Sequence, residues 1–151
     1  MSIWLTQTTL ERLNARSAES MPGFLGIEFV EIGEDYLKAR MPVDKRTLQP
    51  MGILHGGASV ALAETLGSVG ALLCVDSSQK MVVGMEINAN HIRPVRSGNV
   101  VGVARPIHIG SSTQIWEIRI TNDQDKLVCI SRITLAVLDQ DKSQQSNLPF
   151  V

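Results

Sequence analysis

Residues 57–75, GASVALAETLGSVGALLCV, are an unbroken apolar stretch rich in alanine and glycine that carries one charged side chain, Glu64. As an α-helix the stretch is about 28 Å long at a rise of about 1.5 Å per residue. Such a helix either crosses a membrane or forms the centre of a fold wrapped around it. Ser59, Glu64, Thr65, Ser68 and three glycines lie inside it, and no basic anchors flank it. These features point to a buried helix rather than a span. Its small side chains would let a sheet approach closely, and everything else in the chain reads as that sheet.

After the helix come four strand-like stretches, MVVGMEINAN, NVVGVARPIHI, TQIWEIRI and LVCISRITLAVL. Turn residues separate the last three, at Gly110-Ser111-Ser112 and Asn122-Asp123-Gln124-Asp125. Before the helix, GIEFVEI and YLKARMPV flank Gly33-Glu34-Asp35 and read as a hairpin. Thr9 opens a short amphipathic helix, TLERLNAR, and Pro22-Gly23 marks its end. KRTLQPMGILHGG is a loop by composition. The expectation is an α+β fold, one antiparallel sheet curled around one long central helix, with a β-meander following that helix. The domain is expected over residues 1–138, with a polar tail at 139–151.

With 151 residues there is room for one domain and its core, and not comfortably for two. A formal net charge of -1 and a pI near 6.3 give no support for nucleic-acid binding. Lys80, Arg93, Arg96 and Arg105 remain as local cations for an anionic ligand. Cys74 and Cys129 lie in apolar runs with no CxxC or Cys/His spacing, so two buried reduced thiols are expected, without a disulfide or zinc site. The first residues lack a basic segment followed by a long apolar one, so no leader is expected and a cytoplasmic location is. No partner membrane, metal or cofactor is expected.

Glu64 is the main anomaly. It stands among Ala61, Leu62, Ala63, Leu66 and Val69 in a helix that otherwise avoids charge. A buried unpaired carboxylate costs several kcal/mol, so Glu64 must be paired, protonated or open to a cavity. A carboxylate withdrawn from water suits a general base or nucleophile near neutrality. The plainer alternative is a thin polar stripe, made with Ser59, Thr65 and Ser68, on an amphipathic helix. His55-Gly56-Gly57 precedes the helix, where free backbone N–H groups attract developing negative charge. In thioester hydrolysis that is where the carbonyl oxygen would be held. Gln49 lies nearby in the chain, an amide able to orient a carbonyl or a water.

His91 and Arg93, in NANHIRP, are candidates for phosphate or acyl contacts, or else for a solvated strand end. His108 with the Gly110-Ser111-Ser112 turn offers backbone donors to a pyrophosphate, or is an ordinary hairpin turn. There is no GxSxG elbow, no GxxxxGK[ST] loop and no Rossmann glycine pattern. Without a nucleophile elbow or paired metal ligands, hydrolysis would fall to the carboxylate. A non-catalytic acyl-CoA-binding module would not need Glu64. A dehydratase on such a scaffold would use a different His/acid arrangement.

QPMGILHGGASVALAETLGS resembles the signature of hotdog-fold acyl-CoA thioesterases of the 4-hydroxybenzoyl-CoA type, in their phenylacetate-pathway-like branch. LHGGASVALAE, GMEINANHIRPVRSG and QIWEI extend the resemblance over nearly the whole domain. Substrates in that branch include 1,4-dihydroxy-2-naphthoyl-CoA of menaquinone biosynthesis and aryl groups misloaded on carrier proteins, and the Q…HGG…E…S pattern does not separate them. The resemblance implies a hotdog domain and makes Glu64 the nucleophile or general base. It implies that Gly56 supplies the oxyanion N–H, that Gln49 and His55 place the thioester, and that Ser68 assists. For CoA it implies Gly84, then His91, Ile92, Arg93 and Pro94. It adds His108, Ile109, Gly110, Ser111, Ser112 and Thr113. It also implies a homotetramer, a dimer of dimers, and no cofactor. VDSSQKM, before Met81, is longer than the pattern.

Spacing adds one expectation of its own. Gly56 and Glu64 are eight residues apart, about 12 Å along one helix. A reacting carbon lies about 3 Å from both donor and attacking group, so one helix cannot easily serve one bond with both. Two antiparallel helices about a twofold axis can, each site drawing Gly56 from one chain and Glu64 from the other.

Overall fold

The computed structural model describes residues 1–140. Of the expected 139–151 tail, Asp139 is the last residue of a strand and Gln140 donates its N–H to the Gln79 carbonyl (2.8 Å); the rest lies outside the described residues. Thr9 caps α1 (Leu10–Ser17) by accepting from the Arg12 N–H (3.2 Å). Pro22 does not end the helical region as expected. It opens a second short helix, α2 (Met21–Phe24), in whose first turn proline is tolerated. Then follow β1 (Glu28–Ile32), β2 (Leu37–Pro42), α3 (Gly56–Leu73), β3 (Lys80–His91), β4 (Asn99–Ile109), β5 (Thr113–Asn122) and β6 (Leu127–Asp139).

All six strands form one antiparallel sheet in the order β1-β2-β4-β5-β6-β3. The meander holds for β4, β5 and β6. It fails for β3, which pairs with β6 at the edge instead of with β4. Residues 92–98 carry the chain across the end of the sheet, tied by the Leu54 N–H to the Val95 carbonyl (2.7 Å) and by the Val43 N–H to the Gly98 carbonyl (2.9 Å). Hydrophobic periodicity shows that a stretch is a strand and says nothing about which neighbour it takes.

The curl of the sheet holds α3, which packs against β2 to β6. Ala63, Leu62 and Leu66 are fully buried, and each leucine contributes about 1.5–3 kcal/mol by burial. Glycine sets the closeness of approach. A Cβ on Gly67 would lie 2.5 Å from Ile133 Cγ2, and one on Gly70 2.9 Å from the Trp116 ring. From the sheet side, a Cβ on Gly102 would lie 2.6 Å from Leu66 Cδ1. α3 is the one helix among the described residues long and apolar enough to cross a membrane, and half of it is buried inside the fold.

The last carbonyls of α3 have partners. Leu5 and Thr6 both donate backbone N–H groups to the Leu73 carbonyl (2.8 and 3.0 Å). Buried Gln114 donates to the Ala71 carbonyl (3.2 Å) and accepts from Trp116 Nε1 (2.9 Å). Trp4 stacks on Trp116 with ring centroids 6.1 Å apart, which anchors the N-terminal strap. Cys74 and Cys129 are buried free thiols; burial pushes the Cys74 thiol up to about 11 and raises that of Cys129.

Candidate active site

At its start, α3 has four N–H groups without intrahelical acceptors of the ordinary kind. His55 covers two of them: its Nδ1 accepts from Gly57 (2.8 Å) and its carbonyl from Ala58 (3.0 Å), while its own N–H donates to the Thr47 carbonyl (2.8 Å). Because Nδ1 accepts, neutral His55 carries its hydrogen on Nε2, as an outward donor. The Gly56 N–H is the one left uncommitted among the described residues. His91 packs against the Cα side of Gly56, so close that a Cβ there would be 2.8 Å from His91 Nε2.

Gln49 reaches the same place through a loop closed on itself. Its own N–H donates to the Ile53 carbonyl (2.8 Å), and Gly52, with φ +73, makes the turn that an L side chain resists. Gln49 Oε1 accepts from the Met51 N–H, leaving the amide nitrogen to donate. Gln49, Gly56, His91, Ile92, Arg93 and Pro94 line one open cavity of about 450 Å³. Arg93 is fixed by donating from Nη1 to the Leu127 carbonyl (2.6 Å), and its remaining donors are exposed. Arg96 borders the same loop, Nη1 lying 3.4 Å from the Met51 carbonyl.

Glu64 lies elsewhere. It lines a second cavity of about 300 Å³ with Gly57, Ala61, Thr65, Met21 and Pro22. The side chain is half-buried, and it makes no ion pair or hydrogen bond among the described residues. Its Oε1 lies 2.7 Å from where a Cβ on Gly84 would be. Gly84, expected as a CoA contact, is thus a floor for the carboxylate. Ser68, one helical turn beyond Glu64, lines a third and deeper cavity of about 390 Å³ between α1, α3 and the start of β3.

The remaining expected contacts separate. His108 and Ile109 end β4, and Gly110, Ser111 and Ser112 turn into Thr113, with the Gly110 N–H spent on the Thr113 carbonyl (2.9 Å). This hairpin lies toward the opposite end of β4 from the His91 cluster: His91 stands level with Cys129, Ile120 and Gly102, so Ile109 is about 23 Å further along the strands at about 3.3 Å per residue. One chain therefore does not join the two expected CoA segments. Two of the basic residues are also engaged: Arg105 pairs with Asp35 (2.5 Å) and Lys80 with Asp139 (2.5 Å). Asp76 shapes VDSSQKM by accepting from the Ser78 N–H (3.0 Å) and hydroxyl (2.6 Å), which lower its pKa.

A family model described as "Thioesterase superfamily" matches residues 51–129, the stretch that carries Gly56, Glu64 and His91. This chain belongs to the thioesterase superfamily. It is 55% identical over 136 residues to 1,4-dihydroxy-2-naphthoyl-CoA hydrolase of Escherichia coli K12, covering 90% of this chain and 99% of that one. It is 51% identical over 136 residues to the proofreading thioesterase EntH of Cronobacter turicensis, covering 90% and 98%. The crystal structure of a mutant thioesterase from Pseudomonas aeruginosa superposes with a TM-score of 0.91 at 51% identity, covering 92% of this chain and all of that one. The sheet curled on its central helix is the hotdog domain of that superfamily, and the protein is a thioester hydrolase.

Proposed function

We propose that this thioesterase hydrolyses aryl-CoA thioesters, 1,4-dihydroxy-2-naphthoyl-CoA foremost, at sites shared by two chains. The observation that carries the proposal is the division of the site. An uncommitted Gly56 N–H and a half-buried, unpartnered Glu64 carboxylate face different cavities of one chain. The Gly56 N–H polarises the thioester carbonyl as negative charge develops on its oxygen. Glu64 of the second chain either takes a proton from a water that attacks that carbon, or attacks it directly to form a mixed anhydride that water then hydrolyses; in both routes the C–S bond breaks and the thiolate of CoA departs. Gln49 and His55 Nε2 are the donors beside the carbonyl.

β3 supplies the surface for the second copy. It is an edge strand of twelve residues, and Val83, Gly84, Met85 and Glu86 are exposed. A long edge with apolar side chains invites pairing with another strand. His91 marks Gly56 and Gly84 marks Glu64 on this strand. Antiparallel pairing that sets one marker beside the partner's other marker puts the twofold axis between Ile87 and Asn88. The same pairing brings the partner's β4–β5 hairpin to the His91 end, which reunites the two CoA segments. Two such dimers give the tetramer, in the cytoplasm.

The test mixes Glu64→Ala chains with Gln49→Ala/His55→Ala chains after dissociation and reassembly. Each parent is inactive, and random pairing restores up to about a quarter of wild-type activity. No recovery in proven heterodimers would return the whole site to one chain. A second reading, clearance of aryl carrier proteins, draws on the 51% identity to EntH. Comparing kcat/KM for 1,4-dihydroxy-2-naphthoyl-CoA with that for aryl carrier-protein thioesters decides between them.

A further inference from the structure

α2 lies over the carboxylate and is held to the rest of the fold by little. Met21, Pro22, Leu25 and Ile27 line the cavity of about 300 Å³ onto which Glu64 opens. None of the four residues of α2 is buried. Its backbone bonds are local: Phe24 donates to the Ser20 carbonyl (3.1 Å), Leu25 to that of Met21 (3.0 Å) and Ile27 to that of Pro22 (2.9 Å). Among the described residues no hydrogen bond ties α2 to α3 or to the sheet, so it can swing as a unit without breaking one. Gly26, with φ +74, follows it in a conformation that an L side chain resists, and Ile27 beyond is buried and fixed. At its other side Gly23 rests on the end of α1, where a Cβ would collide with the Ser17 and Ala18 carbonyl oxygens. Met21 and Phe24, three residues apart on one side of the helix, are 62% and 69% exposed. Two large apolar side chains thus stand in water beside the opening, as surface for a ligand to cover.

We propose that α2 is a lid, hinged at Ser20 and Gly26, whose Met21 and Phe24 close over a thioester bound at Glu64. The inference rests on the thioesterase reading of Glu64. A cavity of about 300 Å³ is at the small end for a ligand site, so α2 moves aside to admit the acyl group and returns over it. Met21 and Phe24 are positioning residues, and the bond-making stays with Glu64.

Hydrogen exchange on the intact protein tests the hinge. In the free enzyme the Phe24, Leu25 and Ile27 amides should exchange at least about tenfold faster than those of residues 14–17 in α1. Saturating phenacyl-CoA, a thioether that cannot be hydrolysed, should slow them at least about tenfold. Equal exchange in the two helices, or no slowing by the thioether, overturns the lid. Kinetics test the side chains. Phe24→Ser should raise KM for 1,4-dihydroxy-2-naphthoyl-CoA at least about fivefold and leave the thermal midpoint within about 1 °C, because so exposed a side chain supports little of the fold. Phe24→Leu should restore KM. Gly23→Ala, whose Cβ pushes α2 off α1, is a second variant with the same expected rise. Unchanged KM in both Phe24→Ser and Gly23→Ala overturns the assignment, whatever the midpoint does. Slowed exchange with phenacyl-CoA, in a protein that turns over no thioester, would uphold the lid and sink the catalytic reading. Brisk turnover with no slowing would do the reverse.

Discussion

Glu64→Gln keeps the shape of the side chain over Gly84 and removes its charge and basicity. Glu64 has no ion pair or hydrogen bond to lose among the described residues, so the fold loses no contact. A half-buried carboxylate without a partner is itself a cost to folding. The thermal midpoint should therefore stay level or rise, by up to about 1 kcal/mol of stability. Activity should move the other way. A positioned base contributes about 10²–10⁴ in rate, and about 1.36 kcal/mol corresponds to each tenfold, so a loss of about 3–5 kcal/mol in transition-state stabilisation is expected. The assay is thiol release from 1,4-dihydroxy-2-naphthoyl-CoA, with kcat and KM separated, beside a melting curve of the same preparation. Turnover within tenfold of wild type would refute the catalytic role. A midpoint several degrees lower would show instead that Glu64 is a structural group.

Other perturbations test the surroundings. Gly84→Ala sets a Cβ 2.7 Å from Glu64 Oε1, so the carboxylate swings away; kcat should fall at least about tenfold while urea unfolding changes by less than about 1 kcal/mol. Gly67→Ala drives a Cβ to 2.5 Å from Ile133 Cγ2 in the packed core and should cost about 1–3 kcal/mol in the same unfolding experiment. Arg93→Ala should raise KM for CoA substrates more than it lowers kcat, since its free donors face the Gly56 cavity; a change confined to kcat would refute the phosphate role. The Arg46 guanidinium holds the Asp44 carboxyl down at about 2 against an ordinary 3.8, in the turn that leads to Gln49. A depressed acid stabilises above its unfolded value, so this turn's support should persist at pH 5 and fade from about pH 4 toward 2, followed by acid unfolding of wild type and Asp44→Asn.

Much of this architecture was legible in the chain because it follows from local pattern. The run at 57–75 fixed a central helix, and its glycines anticipated the close sheet seen at Ile133 and Trp116. The strands emerged from alternation, and the β4 to β6 meander from short turns. β3 was misplaced because its partner is chosen by the path of residues 92–98 and by bonds such as Leu54 to Val95, which no period encodes. In the candidate site, Glu64 stands out in the sequence as a charge where charge is costly, and Gly56 as a glycine at a helix start. Gly84 lies against Glu64 Oε1, and what lies against a glycine is a tertiary fact that no local pattern carries. The cavity lined by Thr6, Ser17 and Ser68 went unseen for the same reason. Its walls come from the N-terminal strap, α1, α3 and β3, and Pro22-Gly23 was read as a stop where the structure has another helix.

One geometrical condition links the fold to the chemistry. The sheet closes tightly on α3 where Gly67 and Gly70 admit Ile133 and Trp116, so that face can hold neither ligand nor charge. The stripe it leaves uncovered runs through Gly57, Ala61, Glu64, Thr65 and Ser68, at the three- and four-residue spacing of one helical face. α1 and α2 cover that stripe in part, and the cavities lie beneath them. Gly56 is eight residues from Glu64, an offset of about 80° around a helix of about 3.6 residues per turn, and the two residues line different cavities. On the shared-site reading proposed above, a helix packed this tightly presents the oxyanion donor and the attacking carboxylate, but not to one bond. The close packing that stabilises the monomer would then be the same feature that sends each chain to a second copy for the other half of its site.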